Sequence, residues 1–208
     1  VTEDDKQNDN SYVFFATASG MVKRVQLSQF KNLRANGLRA VELNDGDNLI
    51  GVAITDGEQD IMLFSNEGKA IRFAETDVRS MGRSAKGVRG MRVTIGASQV
   101  EDAEDAEVES DDEDATEANF ISRIVSLVVV PETGEVLCAS ANGYGKRTPV
   151  DDFPTKKRGG KGVIAIKTSE RNGELVGAVA IDASKELMLI SDGGTLVRTR
   201  ASEVAQTG

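Results

Sequence analysis

The chain has 208 residues, of which 39 % are apolar, 28 % are charged and none is histidine. The lack of histidine excludes an imidazole base, a Ser-His-Asp triad and a His-containing zinc site, which disfavours most hydrolase mechanisms. No run approaches the roughly 20 consecutive apolar residues that a membrane helix requires, and the amino-terminal residues lack the layout of a secretory signal. We therefore expect a cytoplasmic protein.

The formal net charge of −9 is concentrated in two acidic segments. Residues 101–117 contain eleven acidic residues and no basic one, and residues 1–10 contain four acidic residues against Lys6. The rest of the chain is mildly basic. Segments of this composition bury too little apolar surface to fold. We interpret residues 1–10 as a disordered acidic leader, and residues 96–119 as a disordered insertion in one domain that spans residues 11–208.

Short apolar runs rich in Val, Ile, Leu and Phe predict β-strands along the whole chain. They are separated by turn pairs such as Asp56-Gly57 and Asn142-Gly143. Before each hairpin, strands are predicted at residues 12–15, 60–64, 135–139 and 186–190. Further strands are predicted at residues 37–41, 87–91 and 162–166, and at residues 49–54, 124–130 and 175–181.

The predicted strands belong to a repeat of about fifty residues. Residues 16–30, 64–78, 139–153 and 190–204 align, and each places a glycine four residues before an arginine. The four pairs are Gly20 and Arg24, Gly68 and Arg72, Gly143 and Arg147, and Gly194 and Arg198. Four strands per repeat indicate an all-β, propeller-like array of four-stranded blades, of which this chain holds between three and four.

The densest basic segment is the loop at residues 156–162, which contains four cations and three glycines. Glycines allow the main chain to approach a phosphate backbone closely, and lysine and arginine neutralise its charge. A P-loop is excluded because Lys161 precedes Gly162 rather than Ser or Thr. The alternative is a solvated turn. The candidate DNA-binding residues are Lys156, Lys157, Arg158, Gly159, Gly160 and Lys161.

Basic residues recur at the equivalent position of the other repeats, in the residues that precede Gly37 and Gly87. We call each such position a station. In a radial array, such stations form a curved track along which a bound duplex must bend. No side chain is an obvious reader of base edges, so we expect low sequence specificity. These stations and their flanks add the candidates Lys31, Arg34, Arg39, Arg83, Lys86, Arg89 and Lys146.

The arginines of the glycine-arginine pairs are further candidates. Strand alternation places Arg72 on the face opposite Ile71 and Phe73, which predicts that these arginines face outward. Arg24, Arg72, Arg147 and Arg198 are then either solvated residues that support a hairpin or DNA contacts. Cys138 lies in an apolar run, and we interpret it as a small core residue.

The repeated blades, the stretch Asn142-Gly143-Tyr144-Gly145-Lys146-Arg147-Thr148 and the loop at residues 156–162 resemble the C-terminal domain of the bacterial DNA gyrase A protein. The resemblance implies a six-bladed β-pinwheel that wraps DNA around a basic perimeter. Family members carry a box, Q-R-R-G-G-K-G, in the first blade. Residues 158–162 match its last five positions, so this loop is a relative of the box in a later blade.

The resemblance implies a non-catalytic, DNA-wrapping part of an ATP-dependent type II topoisomerase that supports negative supercoiling. Its partners would be double-stranded DNA, the rest of the gyrase A protein and the gyrase B protein, at the nucleoid. ATP and Mg²⁺ act in other domains, so no cofactor is expected here. The family's catalytic tyrosine follows an arginine, whereas Tyr12 follows Ser11 and Tyr144 follows Gly143.

Two alternatives stay open. One is the corresponding domain of the topoisomerase IV A protein, which has degenerate boxes and fewer blades. The other is a propeller-type protein-interaction module whose basic loops are incidental. Salt distinguishes the second alternative from DNA wrapping, because affinity for a polyanion falls steeply as salt rises.

Overall fold

A computed structural model of the chain describes residues 10–31, 36–93 and 121–207. These residues form thirteen strands and four short 3₁₀ turns. The predicted leader (apart from Asn10), the predicted acidic insertion and the candidate Arg34 lie outside the described residues. The 3₁₀ turns span Leu27–Phe30, Glu75–Asp77, Val150–Asp152 and Ala201–Glu203.

The strands occur where the short apolar runs predict them, with one exception described below. In the first half of the chain they are β1 (Tyr12–Thr17), β2 (Met21–Gln26), β3 (Leu49–Thr55), β4 (Asp60–Ser65), β5 (Lys69–Ala74) and β6 (Val88–Arg89). In the second half they are β7 (Ile124–Val129), β8 (Glu135–Ser140), β9 (Gly145–Pro149), β10 (Val163–Ile164), β11 (Leu175–Ile181), β12 (Glu186–Ile190) and β13 (Leu196–Arg200).

The strands assemble into four antiparallel sheets, each built on one hairpin. We call them the first to fourth blades. The first has the order β3-β1-β2-β6 and the second β7-β4-β5-β10. Within the described ranges the third blade has three strands, β11-β8-β9, and the fourth is the hairpin β12-β13. The predicted all-β array of blades is confirmed.

The outer strand of each four-stranded blade comes from the following repeat. β6 follows the second hairpin but pairs with β2 of the first blade, with Met21 opposite Arg89. β10 follows the third hairpin and pairs with β5 of the second blade, with Ala70 opposite Val163. Consecutive blades are therefore linked by exchanged strands as well as by side-chain packing.

The predicted strand at residues 37–41 is wrong. Residues 87–91 and 162–166 supply β6 and β10 because each meets the hairpin of a preceding blade. Among the described residues no hairpin precedes β1, so residues 37–41 have no edge with which to pair. Instead, Ala40 and Val41 pack on the face of the first blade that is turned away from the second.

The hydrophobic core lies between blades rather than within them. In β4, Ile61 and Leu63 pack against the first blade, whereas Met62 and Phe64 pack against the third. The two-residue periodicity of a strand thus divides its side chains between two interfaces. A blade in the middle of the array has no solvated face.

The strands β3, β7 and β11 pack side by side along one side of the array. A Cβ at Gly51 of β3 would lie 2.7 Å from Leu127 Cβ of β7. At the next interface, the Ala178 N–H of β11 donates to Ser126 Oγ of β7 at 2.9 Å. Small residues at these equivalent positions allow successive blades to approach closely.

Candidate nucleic-acid interface

Three glycines with left-handed backbone end the basic loops of successive repeats. Gly37, Gly87 and Gly162 have φ values of 82°, 102° and 81°. A Cβ on Gly87 would overlap the carbonyl oxygen of Val22, and one on Gly162 would overlap that of Ala70. Both carbonyls belong to the preceding blade. Glycine therefore lets the second and third basic loops end directly against the blade before them.

Arg158 anchors the third basic loop to the second repeat. Its Nε donates to the Asp77 carbonyl at 3.0 Å, and its Nη1 donates to the Arg89 carbonyl at 2.9 Å. The N–H of Gly159 donates to the Gly90 carbonyl at 2.6 Å. This N–H, predicted from the sequence to face a phosphate, is therefore used within the fold, and Arg158 is only half-exposed.

The lysines on either side of this anchor are exposed. Lys156 and Lys157 precede Arg158, and Lys161 follows Gly160. Because the anchor fixes the loop backbone, the three ammonium groups project from a defined position rather than from a free loop. The backbone of the loop is thus fixed, while its ammonium groups are exposed on long side chains. This arrangement suits a partner that is recognised by its charge.

Arg92 extends the same basic surface, although it was not among the candidates predicted from the sequence. Its N–H donates to the carbonyl of Gly160 at 2.9 Å, and its side chain is exposed. Arg89 is also exposed. The sequence signal for Arg92 is weak, since it is an isolated arginine after the buried Met91. Its position beside the lysines depends on the contact between two loops that lie far apart in the sequence.

We call this surface the basic ridge. It joins loops from the second and third repeats, and its members are Arg89, Arg92, Lys156, Lys157 and Lys161. Within residues 10–31, 36–93 and 121–207, the structure shows no ion pair that involves a member of the ridge. The five cations therefore keep their charge available for an external anion.

The second basic loop packs against a buried cation, Lys23 of β2, and its own two cations are more exposed. Lys86 is exposed and Arg83 is half-buried. The carbonyls of Arg83 and Ala40 accept hydrogen bonds from the ammonium of Lys23, which is only 1 % exposed. Burial lowers the pKa of Lys23, the positive charge of Arg83 lowers it further, and Glu42 partly opposes both.

The remaining candidates of the stations and strands differ in exposure. Lys31 and Arg39, from the first basic loop, are exposed. Lys146 is half-buried in β9, opposite Cys138 of β8. Burial raises the pKa of the Cys138 thiol to about 11, which agrees with its interpretation as a core residue.

The prediction that the arginines of the glycine-arginine pairs face outward is wrong for three of the four. Arg24 and Arg147 are buried, and the side chain of Arg72 is 18 % exposed. Each pairs with a carboxylate, respectively Glu75, Glu135 and Asp60. The alternation argument failed because both faces of these blades are covered. Arg198, in the fourth blade, is exposed as predicted.

A family model described as "DNA gyrase C-terminal domain, beta-propeller" matches residues 11–56, 59–97, 134–182 and 185–208. The chain belongs to this DNA gyrase C-terminal domain family. The DNA gyrase A protein of Haemophilus influenzae is 48 % identical over 203 residues, which cover 96 % of this chain and 23 % of that protein. The gyrase A protein of Escherichia coli is 47 % identical over 196 residues, covering 94 % and 20 %.

Solved structures agree with this membership. The DNA gyrase A C-terminal domain superposes with a TM-score of 0.76 at 28 % identity, over 96 % of this chain and 59 % of that one. The C-terminal domain of DNA topoisomerase IV has a TM-score of 0.78 at 23 % identity, over 95 % and 55 %, which shows a shared fold. The chain spans about a fifth of the length of the curated gyrase A proteins that it matches.

Two other kinds of feature are absent from the described residues of this gyrase-family domain. None of its helices has the length and apolar character needed to cross a membrane. No group of three or more acidic or cysteine side chains is placed to hold a metal ion there.

Proposed function

We propose that this domain binds duplex DNA along the basic ridge and bends it, as the DNA-wrapping part of the DNA gyrase A protein. The basic ridge is the observation that supports this proposal. Its five exposed cations come from two successive repeats and form no ion pair within the described ranges. Lys31, Arg39 and Lys86 extend the track to the first and second basic loops. Release of condensed counterions from DNA would supply most of the affinity, since the sequence contains no obvious reader of base edges.

Bending follows from the placement of the loops. The second and third loops end at equivalent points, against Val22 in the first blade and Ala70 in the second. Successive basic loops therefore end at equivalent positions on successive blades, and we propose that their cations follow the curve of the blade array. A stiff duplex that contacts several of them must curve, and phosphate contacts would offset the elastic cost.

In the whole enzyme, we propose that the domain supports ATP-dependent negative supercoiling without catalysing a step itself. The rest of the gyrase A protein and the gyrase B protein would be its protein partners, and the cytoplasmic nucleoid its location. ATP, Mg²⁺ and the cleavage tyrosine would belong to other domains. The environments of the two tyrosines favour structural roles: the Tyr12 ring packs 4.4 Å from the Arg24 guanidinium, and the Tyr144 hydroxyl accepts from Arg171 at 2.9 Å.

A salt titration of DNA binding tests the proposal. Affinity of the 208-residue protein for a linear duplex would be measured by fluorescence anisotropy at several salt concentrations. We expect log affinity to fall linearly with log salt, with a slope of about 0.9 for each phosphate neutralised. A variant with Lys156→Gln, Lys157→Gln and Lys161→Gln should bind more weakly and lose up to about 2.7 of that slope.

Lys185→Gln provides the matched control. Lys185 is an exposed lysine outside the basic ridge, and its replacement changes the charge by the same amount per site. We expect it to leave the salt slope unchanged. If the triple variant and wild type bind equally, or if binding does not depend on salt, the proposed interface is wrong and a protein-interaction module is favoured.

A further inference from the structure

The glycine-arginine pair forms a joint between blades, which recurs three times in the described residues. Arg72 donates through Nε to Asp60 on its own blade at 2.7 Å. Its Nη1 reaches the third blade, where it donates to the carbonyls of Val150 at 2.8 Å and Phe153 at 3.4 Å. The guanidinium thus bridges one blade to the 3₁₀ turn of the next.

The joint after the third blade repeats this geometry. Arg147 pairs through Nη1 with Glu135 on its own blade. Its Nε donates to the carbonyl of Val204 at 2.9 Å and its Nη2 to that of Ser202 at 3.4 Å, both beside the 3₁₀ turn of the fourth blade. The planar, five-donor guanidinium satisfies a carboxylate and two carbonyls at once, which a lysine ammonium cannot reproduce.

The first joint uses a different anchor. The carboxylate positions of Asp60 and Glu135 are occupied in the first blade by Tyr12, whose ring lies 4.4 Å from the guanidinium of Arg24. The charge partner comes instead from the second blade, where Glu75 Oε2 lies 3.6 Å from Arg24 Nη1. Arg24 therefore also links two blades, but its carboxylate partner comes from the following blade and its neighbour on its own blade is an aromatic ring.

The same arginines also hold the start of the basic loops through their main chain. The N–H of Met81 donates to the Arg24 carbonyl at 2.9 Å, and that of Lys156 donates to the Arg72 carbonyl at 2.8 Å. Lys156 is a member of the basic ridge. At Arg24 and Arg72 the side chain contacts the following blade, and the carbonyl holds the start of the following basic loop.

We infer that Arg24, Arg72 and Arg147 are positioning residues that set the angle between successive blades and, through it, the curvature of bound DNA. This inference rests on the proposed DNA-binding function but assigns these arginines no contact with DNA. Their side chains are 11 %, 18 % and 9 % exposed, against 66 % for Arg198. Each guanidinium is paired with a carboxylate inside its joint.

Arg72→Gln tests the inference at the second joint. A short duplex labelled at both ends reports DNA bending by energy transfer, and anisotropy reports affinity at several salt concentrations. We expect Arg72→Gln to lengthen the end-to-end distance of the bound duplex, while the salt slope stays within experimental error of wild type. Arg72→Lys should behave like Arg72→Gln, because a lysine keeps the positive charge but lacks the planar set of donors with which the guanidinium reaches both blades.

Lys185→Gln is again the control. Lys185 is exposed and lies outside both the basic ridge and the arginine joints. Its replacement should change neither DNA bending nor the salt slope. If Arg72→Gln does not fold, Asp60→Asn weakens the same joint with Arg72 in place, and a smaller loss of bending is expected.

Two results would overturn the inference. A salt slope reduced by about 0.9 in Arg72→Gln and restored in Arg72→Lys would identify Arg72 as a phosphate contact. An unchanged bend in folded Arg72→Gln and Asp60→Asn would show that the joint does not set curvature. Failure of the proposed function looks different, since wild type itself would then show no salt-dependent binding.

Discussion

Arg24 of the first blade and Glu75 of the second meet with 3.6 Å between Nη1 and Oε2, and the Glu75 side chain has no exposed surface. Glu75 also accepts hydrogen bonds from the Thr55 hydroxyl at 2.7 Å and from the Gly57 and Gln59 N–H groups at 2.9 Å each. One buried carboxylate therefore satisfies groups on both blades, and its removal leaves all of them without their acceptor.

We predict that Glu75→Ala lowers the free energy of unfolding by about 3–5 kcal/mol, the range expected when one partner of a buried ion pair is removed. Urea denaturation followed by circular dichroism measures the change. Glu186→Ala is the control, because Glu186 pairs with Arg198 at the surface, where such pairs contribute at most about 1 kcal/mol. Equal losses in the two variants would contradict the role assigned to Glu75.

A comparison of Gly68 with Gly143 distinguishes the stability cost of backbone strain from the cost of a close contact. Both have a φ of 78° at equivalent hairpin positions. A Cβ on Gly68 would overlap the carbonyl oxygen of Ile166, whereas one on Gly143 meets nothing within 4 Å. Gly143→Ala should cost only the strain of left-handed backbone, about 1–2 kcal/mol.

Gly68→Ala should lower the free energy of unfolding by about 2–5 kcal/mol, because the new methyl group would also overlap the carbonyl of Ile166, just after β10. The urea midpoints of the two variants provide the comparison. A midpoint for Gly68→Ala at or above that of Gly143→Ala would show that the approach of Ile166 imposes no constraint.

We predict that Lys23 makes the free energy of unfolding depend on pH in the alkaline range. Its folded pKa is lowered by burial and by Arg83, so between that pKa and 10.5 the unfolded chain binds more protons than the native one. The free energy of unfolding therefore rises with pH across this window. Urea titrations at several pH values should show the rise in wild type and a flatter profile in Lys23→Met. Parallel profiles would refute the assignment.

Cys138 should react slowly with alkylating reagents in the native protein. Its side chain is 1 % exposed and its pKa is raised to about 11, so little thiolate is present or reachable near neutral pH. We expect iodoacetamide labelling, followed by mass spectrometry, to be slow in buffer and to reach the ordinary thiol rate in urea. Rapid labelling of the folded chain would show that β8 opens readily.

Features with a local cause were predictable from the sequence. Hairpin positions follow from glycines that adopt positive φ, as Gly20 and Gly194 do at 84° and 82°. Strand positions follow from short apolar runs such as residues 61–64, which are apolar at successive positions because both faces of that blade are covered. The basic loop at residues 156–162 was also evident from composition, although the sequence did not show that Arg158 anchors it rather than projecting from it.

Other features depend on partners far along the chain. The contact of Arg92 with Gly160 brings the second and third loops together, and nothing near Arg92 in the sequence predicts it. Arg72 was placed on an open face because alternation distinguishes two faces but not whether each is covered. In a stack of blades the second face packs on the next blade, so the same arginine is enclosed.

The sequence by itself determined most of the strands, the turns, the repeat and the positions of positive charge, because each is evident within a short stretch of chain. Only the tertiary structure decided which blade receives each exchanged strand and which cations remain free. Met21 pairs with Arg89, and Arg147 bonds to Val204, across stretches of chain that carry no local signal of the pairing. Such contacts form when whole blades dock, since burial of both faces then favours pairing of the polar groups between them.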